Sequence, residues 1–289
     1  MQMLTSLDLL EQHFFDPSLL STNYFAKKRA EYLDAQSVGF NSPLRDYPRL
    51  LHILTEVRDH RADHASSYTK RLRSQHRDYR SCEAVFSELI VYVGNLRLLW
   101  EGHLAEISLE IDSYELALTR PDGSHAYLEI LCVMPNPEPD ANNVTHYQPH
   151  IQQASSSIRQ KLVRKIERNQ LTSPRENWAV IELNDSGMTP FAVLSSPSNG
   201  YVVRADSEGY DWTNSFFDDP RTGYIRGIIY FFVGNYGGRR VLLNPSYRTF
   251  VAGTMWQPGT SVTLQTGNMG DSQPLSLKSR SSKRARSTS

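Results

Sequence analysis

The chain has 289 residues, of which 39% are apolar and 21% are charged, a composition typical of a globular protein with room for one large domain or two modest ones. Its 31 lysines and arginines balance 31 aspartates and glutamates, so overall charge predicts neither a nucleic-acid nor an acid-binding partner, and any electrostatic surface must come from local clustering. The two distant cysteines form no metal motif, and neither a signal peptide nor a bilayer-length apolar run is visible, so we expect a reduced, soluble, cytoplasmic protein without a membrane partner.

The first predicted unit is a polar, helical N-terminal region, residues 1–80. Asp16 followed by Pro17 is typical of a helix start, and residues 44–61 are predicted to form a second helix. Its continuation, residues 58–80, is rich in arginine and lysine. A solvated helical face is the commoner meaning of such a stretch. The alternative is a basic surface for phosphate backbones, with Arg71, Arg73 and Arg77 as its candidate residues.

The second predicted unit, residues 81–251, alternates helix and strand patterns. It begins with an amphipathic helix that carries Glu88 on its flank, followed by two strands, the turn signal Arg120-Pro-Asp-Gly123 and a third strand. The third strand is apolar on both faces, as expected for a central strand covered by helices on both sides. The predicted bounds of these four elements are Ser81–Tyr92, Leu104–Ile111, Tyr114–Thr119 and Ala126–Val133.

Glu129 is the conspicuous residue of that third strand. A carboxylate in the middle of a doubly covered strand costs free energy unless a partner compensates it, and buried acids of this kind are often metal ligands or acid/base groups. The alternative is that Glu129 faces water at the strand end or forms a salt bridge with a nearby lysine. We favour the functional interpretation.

A long helix is predicted from His150 to Gln170. Lys161 and Lys165 border its apolar stripe, so their ammonium groups can point along the edge of the sheet. The alternative is that both lysines cover the core with their stems and keep their charges in water. A fourth strand at residues 178–183 is expected to run parallel to a neighbour, because a helical crossover precedes it.

The third predicted unit, residues 252–289, is a low-complexity basic tail. It is rich in Gly, Ser, Thr and Gln and has too few apolar residues to form a core, so we expect disorder. Such a tail can contact nucleic acid or simply keep the protein in solution. The candidate nucleic-acid-binding residues here are Lys283, Arg284 and Arg286.

The order of helix, three strands, helix and strand, with acids at the second and third strands, resembles the PD-(D/E)XK nuclease superfamily. The resemblance implies an α/β fold with a restriction-endonuclease-like αβββαβ core for residues 81–251. It also implies a divalent metal ion, Mg²⁺ or Mn²⁺, bound by Glu129 in the third strand and by Asp112 or Glu115 at the second, with Glu88 completing the outer coordination.

The sequence departs from this family at one position. Members carry a lysine two residues after the third-strand acid, where it orients the attacking water and stabilises negative charge at the phosphate, and this chain has Leu131 there. Some members draw the lysine from the following helix, where this chain offers Lys165 or Lys161. Other members with a broken motif no longer cut.

Three functions are therefore compatible with the sequence. The first is a metal-dependent nuclease with a displaced catalytic lysine. The second is a catalytically inactive nuclease fold that binds nucleic acid, and the third is a protein-interaction module that uses the fold as a scaffold. The sequence leaves open whether the chain is an enzyme, whether its substrate is DNA or RNA, which of Asp112 and Glu115 is the ligand, and what its oligomeric state is.

Overall fold

The predicted α/β class is confirmed. The structure, a computed structural model, combines a mixed sheet with helices on both of its faces. It describes residues 11–20, 23–37, 46–111, 114–133, 158–172, 175–183, 202–206, 209–213, 216–231, 239–243 and 262–265.

Six helical segments precede the first strand, and another lies between the third and fourth strands. The long α6 extends past the predicted end at residue 92. In chain order the helices are α1 (11–14), α2 (Pro17–Leu20), α3 (Asn23–Ser37), α4 (Tyr47–His60), α5 (Ala62–Gln75), α6 (Tyr79–Trp100) and α7 (158–167).

The basic stretch at residues 58–80 is interrupted by a corner. α4 starts after Asp46, whose side chain accepts a hydrogen bond from the Arg49 amide (2.8 Å), and it ends where Arg61 takes up extended backbone angles. α5 then begins, and it buries one stripe that includes Tyr68 and Leu72. The stretch is therefore amphipathic: one side of α5 is buried, and the other, which includes Lys70 and Arg73, is the expected solvated face.

One seven-stranded sheet forms the centre of the molecule, in the order β1-β2-β3-β4-β7-β8-β9, and β5 and β6 form a separate antiparallel hairpin. β1, β2 and β3 are antiparallel to one another, β4 runs parallel to β3 as predicted, and β7 runs parallel to β4. The strands are β1 (Glu106–Ile111), β2 (Tyr114–Thr119), β3 (His125–Cys132), β4 (Glu176–Glu182), β5 (Val202–Asp206), β6 (Gly209–Thr213), β7 (Ile225–Phe231), β8 (Arg239–Leu243) and β9 (Val262–Gln265).

Two hydrophobic cores cover the two faces of the sheet. The first core packs the N-terminal helices and α6 against residues such as Leu128 and Ile130 of β3. The second core packs α7 against the opposite face, where Leu131 and Val133 point because successive strand residues alternate between faces. β3 is therefore covered on both sides, as predicted. The first core also crosses the proposed boundary at residues 80/81, so the N-terminal helices and the sheet share one packed interior.

The predicted tail contains one element that the sequence analysis did not anticipate. Val262–Gln265 forms β9, which pairs parallel with β8, so the expectation of disorder is wrong for these four residues. Val262 and Leu264 give the segment a two-residue apolar alternation, and β8 pairs with one side of its backbone. Among the helices of the described ranges, none is both long and apolar enough to cross a bilayer.

Candidate active site

Glu129 lies in the middle of β3 on the face covered by α7, and none of its surface is exposed. The strand is covered on both sides, so the carboxylate cannot reach bulk water from this position. Its Oε1 atom accepts a hydrogen bond from Lys165, and its Oε2 atom has no hydrogen-bond partner among the described residues. The predicted burial is confirmed. The lysine salt bridge named as an alternative is present as well.

Glu115 lies at the point where β2 and β3 stop pairing. The paired positions run from Thr119 opposite His125 to Leu116 opposite Leu128, and Glu115 is the next residue of β2. Its Oε2 atom accepts a hydrogen bond from the Ile130 amide (3.1 Å). The Glu115 carboxylate thus takes the place of a backbone carbonyl as the acceptor for the Ile130 amide. This hydrogen bond holds the Glu115 side chain beside Glu129.

Lys165 connects α7 to both acids. It precedes Ile166, one of the α7 residues that pack in the second core, so the helix carries the base of its side chain to the sheet. The Lys165 ammonium lies 3.3 Å from Glu115 Oε1 and also contacts Glu129 Oε1. The prediction that a lysine beside the apolar stripe points along the sheet is confirmed for Lys165.

The contacts among these groups and their burial shift the pKa values of Glu129 and Lys165. Burial raises the pKa of Glu129 to about 9, and the neighbouring Glu115 carboxylate adds to the rise while Lys165 opposes it. Burial lowers the pKa of Lys165, but the two carboxylates outweigh it and leave that pKa above the ordinary lysine value. A buried acid and a lysine with shifted pKa values, held together by direct contact, are common at catalytic sites.

Lys161 lies on the same helix but outside this group. Its ammonium donates a hydrogen bond to the backbone carbonyl of Cys132 (3.2 Å), at the C-terminal end of β3. Burial lowers the pKa of Lys161, and the charge of Arg80 lowers it further. Of the two predicted lysines, the structure brings Lys165 to the carboxylates.

Glu88 is engaged by an arginine. The carboxylate, almost fully buried on α6, forms a bidentate ion pair with Arg71 of α5 at 2.5 and 2.7 Å. The Tyr68 hydroxyl is buried nearby and has no hydrogen-bond partner in the described ranges. Burial and the charge of Glu88 raise the pKa of Tyr68, whereas the charge of Arg71 opposes that rise.

The other candidate residues lie elsewhere. Arg73 donates a hydrogen bond to the Phe14 carbonyl, and Arg77 is exposed after the end of α5. The remaining candidates fall outside the described residues: Asp112, Lys283, Arg284 and Arg286.

No family model, curated protein or solved structure matches this chain significantly. The interpretation of the site therefore rests on its own chemistry.

Sequence reasoning missed a second buried acid, Glu182. It lies in β4 with no exposed surface, and its Oε2 atom accepts a hydrogen bond from Ser87 of α6 (2.7 Å) and lies 3.5 Å from the Cys132 sulfur. The signal was available, because Glu182 interrupts an apolar strand as Glu129 does. Glu182 belongs to the face of the sheet covered by α6, whereas Glu129 belongs to the face covered by α7.

The carboxylate pair is chemically suited to a divalent cation. Carboxylate oxygens are the ligands that Mg²⁺ prefers, and one or two of them commonly suffice because water and substrate complete the coordination. The Glu129 Oε2 atom, buried without a hydrogen-bond partner in the described ranges, is an acceptor of the required type. The described residues contain no cluster of three or more His, Cys, Asp or Glu side chains placed to hold a metal ion, so the fit rests on Glu115 and Glu129.

Proposed function

We propose that the chain is a metal-dependent nuclease of the PD-(D/E)XK type in which Lys165 replaces the lysine missing at position 131. One observation supports this most strongly: an ammonium group from α7 contacts both acids, Glu115 of β2 and Glu129 of β3. The strand order β1-β2-β3-β4 and the α7 crossover between β3 and β4 also support a restriction-endonuclease-like core as the finer fold assignment within this proposal.

The proposed roles follow from the contacts. Glu129 and Glu115 would hold Mg²⁺ or Mn²⁺, which when bound would supply Lewis-acid activation of water and of the phosphate. The Lys165 ammonium is positioned to donate a hydrogen bond to the attacking water and to offset negative charge on the phosphate. The Ile130 amide fixes the Glu115 carboxylate, so that the acid keeps its orientation when Lys165 turns towards the substrate.

The test is a cleavage assay on the full chain. Labelled single- and double-stranded DNA and RNA would be incubated with Mg²⁺, Mn²⁺ or EDTA, using wild-type protein, Glu129→Gln and Lys165→Ala. Glu106→Gln is the matched control, because Glu106 is an exposed acid on β1, the strand at one edge of the sheet and two strands away from β3.

The expected result is metal-dependent cleavage that Glu129→Gln and Lys165→Ala abolish and that Glu106→Gln retains. Cleavage that persists in Glu129→Gln, or that resists EDTA, would remove the proposal. A well-folded wild-type protein that cuts none of the four substrates would do the same.

A second function is a nuclease fold that binds nucleic acid without cutting it. The Lys165 salt bridges favour it, because they compensate the buried carboxylates without any metal ion. This function predicts salt-sensitive binding that survives Glu129→Gln, together with no cleavage under any metal condition.

A further inference from the structure

One cation already lies between the two acids of the candidate site. The Lys165 ammonium contacts the Oε1 atoms of both Glu115 and Glu129, at 3.3 Å from the first. The two Oε2 atoms have different surroundings. That of Glu115 accepts a hydrogen bond from the Ile130 amide, and that of Glu129 is buried without a hydrogen-bond partner in the described ranges. The two Oε1 atoms therefore define a position for a cation, and a side chain of the protein fills it.

Of these three side chains, Lys165 is the one that is free to withdraw. Its side chain is 23% exposed, whereas those of Glu115 and Glu129 are 18% and 0% exposed. The Ile130 amide also holds Glu115, and β3 holds Glu129 beneath α7. A lysine has a flexible four-carbon stem and a strongly hydrated ammonium. A change of cation at the two acids therefore moves Lys165 and leaves the carboxylates in place.

An ammonium and a divalent ion are unfavourable neighbours at this position. A carboxylate that binds a metal ion must be ionised, so the pair carries two negative charges in that state, and a divalent ion balances both by itself. An ammonium kept at the same Oε1 atoms would add a further positive charge close to the ion. Glu129 is shielded from bulk water, so the solvent would screen this repulsion only weakly.

We infer that Lys165 competes with the divalent ion for Glu115 and Glu129: the protein supplies its own counterion to the metal-free site and releases it when the ion binds. The inference deepens the proposed function and rests on it for the identity of the ligand, a divalent cation. The released ammonium stays attached to α7, so it remains available to a phosphate of the substrate.

Lys161 offers a comparison on the same helix. It lies one turn before Lys165, and its ammonium donates a hydrogen bond to the Cys132 carbonyl (3.2 Å). The acceptor is an uncharged backbone group and not one of the two carboxylates. Replacement of Lys161 therefore removes a positive charge from α7 without removing the counterion of the carboxylate pair.

The experiment is a calorimetric titration of Mn²⁺ into the full chain in the absence of nucleic acid. It compares wild-type protein with Lys165→Met, Lys165→Gln and Lys161→Met. Both Lys165 variants remove the competing charge, so we expect them to bind Mn²⁺ about tenfold or more tightly than wild type. Lys161→Met should stay within about twofold of wild type, because its charge is not at the Oε1 atoms. A lysine that only helps to build the metal site would give the opposite result, weaker binding in Lys165→Met.

The double variant Lys165→Met/Glu129→Gln locates the added affinity. If the ion binds at the carboxylate pair, this variant should lose the tight binding that Lys165→Met gains. Tight binding that survives in the double variant would place the ion elsewhere and overturn the inference.

Thermal unfolding provides a second readout and covers the case of a poorly folded variant. In EDTA, Lys165→Met should have a lower Tm than wild type, because a buried carboxylate has lost its counterion. Mn²⁺ should raise the Tm of Lys165→Met more than that of wild type, because a tighter ligand stabilises the native state more. Lys165 variants that stay unfolded even with Mn²⁺ would show that the ion does not replace the ammonium, and the inference would fail.

The inference also fails if Lys165→Met and Lys165→Gln bind Mn²⁺ no more tightly than wild type. That outcome is distinct from failure of the nuclease proposal, since these titrations involve no nucleic acid and no cleavage. The nuclease proposal fails when metal-supplemented wild-type protein does not cut, whatever the affinities for Mn²⁺.

Discussion

The Lys165 ammonium lies 3.3 Å from the Glu115 carboxylate, although the two residues are 50 positions apart in the chain. α7 follows β3 in the chain and packs against the face of the sheet on which Glu129 lies. Lys165, beside the apolar stripe of α7, therefore lies next to acids of the two preceding strands. A cation that most members of the proposed family place on β3 can thus be supplied from the crossover helix without altering the strand. Leu131 itself packs in the second core.

Exchange of the two α7 lysines for alanine should separate their roles. Lys165→Ala removes the cation that contacts both carboxylates, and we expect a fall of about 100-fold or more in the single-turnover cleavage rate. Lys161→Ala removes a hydrogen bond to the Cys132 carbonyl and should have the smaller effect. Rates would be measured at saturating Mg²⁺ with equal amounts of folded protein. A larger loss in Lys161→Ala than in Lys165→Ala would contradict the assignment.

The Glu129→Gln substitution should stabilise the fold at neutral and alkaline pH. A carboxyl whose folded-state pKa is raised from 4.5 to about 9 contributes fully to stability below pH 4.5 and loses that contribution as the pH rises towards 9. Glutamine does not titrate, so the two proteins should have similar free energies of unfolding at pH 4. At pH 8 the variant should be more stable by up to about 5 kcal/mol, because the wild-type carboxyl has by then lost most of the contribution that its raised pKa provides at low pH.

Urea denaturation at both pH values measures this difference, with Glu106→Gln as an exposed control. A Glu129→Gln variant that is less stable than wild type at pH 8 would show that the salt bridge between Lys165 and Glu129 increases the free energy of unfolding. Burial would then no longer indicate that Glu129 is retained for its chemistry.

The parts of the site that sequence could predict are those set by local pattern. Glu129 interrupts a doubly apolar strand, and Lys165 borders an apolar stripe, so their faces follow from periods of two and 3.6 residues. Both placements agree with the structure. Their meeting was expected only as an alternative for Glu129 and from the family resemblance, which left Lys161 as open as Lys165.

The parts that sequence could not predict depend on contacts between distant elements. No glycine or proline marks the corner at Arg61 between α4 and α5, so the basic stretch looked like one continuous helix. The Arg71–Glu88 pair joins two helices through side chains whose partners no periodicity specifies. Arg71 consequently looked like one of several surface cations, and Glu88 looked like an acid available to a metal ion.

Cys82 should resist alkylation in the folded protein. Burial raises the pKa of its thiol to about 12, and the charges of Glu83 and Asp78 contribute to the rise. Because only the thiolate reacts, a rise of this size from the ordinary value of 9.0 lowers the reactive fraction about 1,000-fold at pH 8. Iodoacetamide treatment followed by peptide mass spectrometry should find Cys82 unmodified in native protein and modified in urea. Rapid labelling of native protein would show that α6 does not bury this thiol in solution.

The ion pair between Arg120 and Glu176 should be a strong stability determinant. Arg120 starts the β2–β3 turn and contacts Glu176, the first residue of β4, at 2.6 and 3.0 Å, and both side chains are mostly buried. Arg120→Met leaves the carboxylate buried without its cation, and we expect a loss of about 3 to 5 kcal/mol in the free energy of unfolding. The double variant Arg120→Met/Glu176→Gln removes both charges and keeps an acceptor for the Trp178 indole, so it should recover at least half of that loss.

Arg221→Met is the matched control for this cycle, because it breaks a pair of similar geometry whose arginine is half exposed. Exposed pairs contribute at most about 1 kcal/mol, so urea denaturation followed by tryptophan fluorescence should show little change in this variant. Equal losses for Arg120→Met and Arg221→Met would mean that the turn does not fix β4 through a buried charge. In that case the register that brings Glu129 opposite Ala179 would depend on backbone pairing alone.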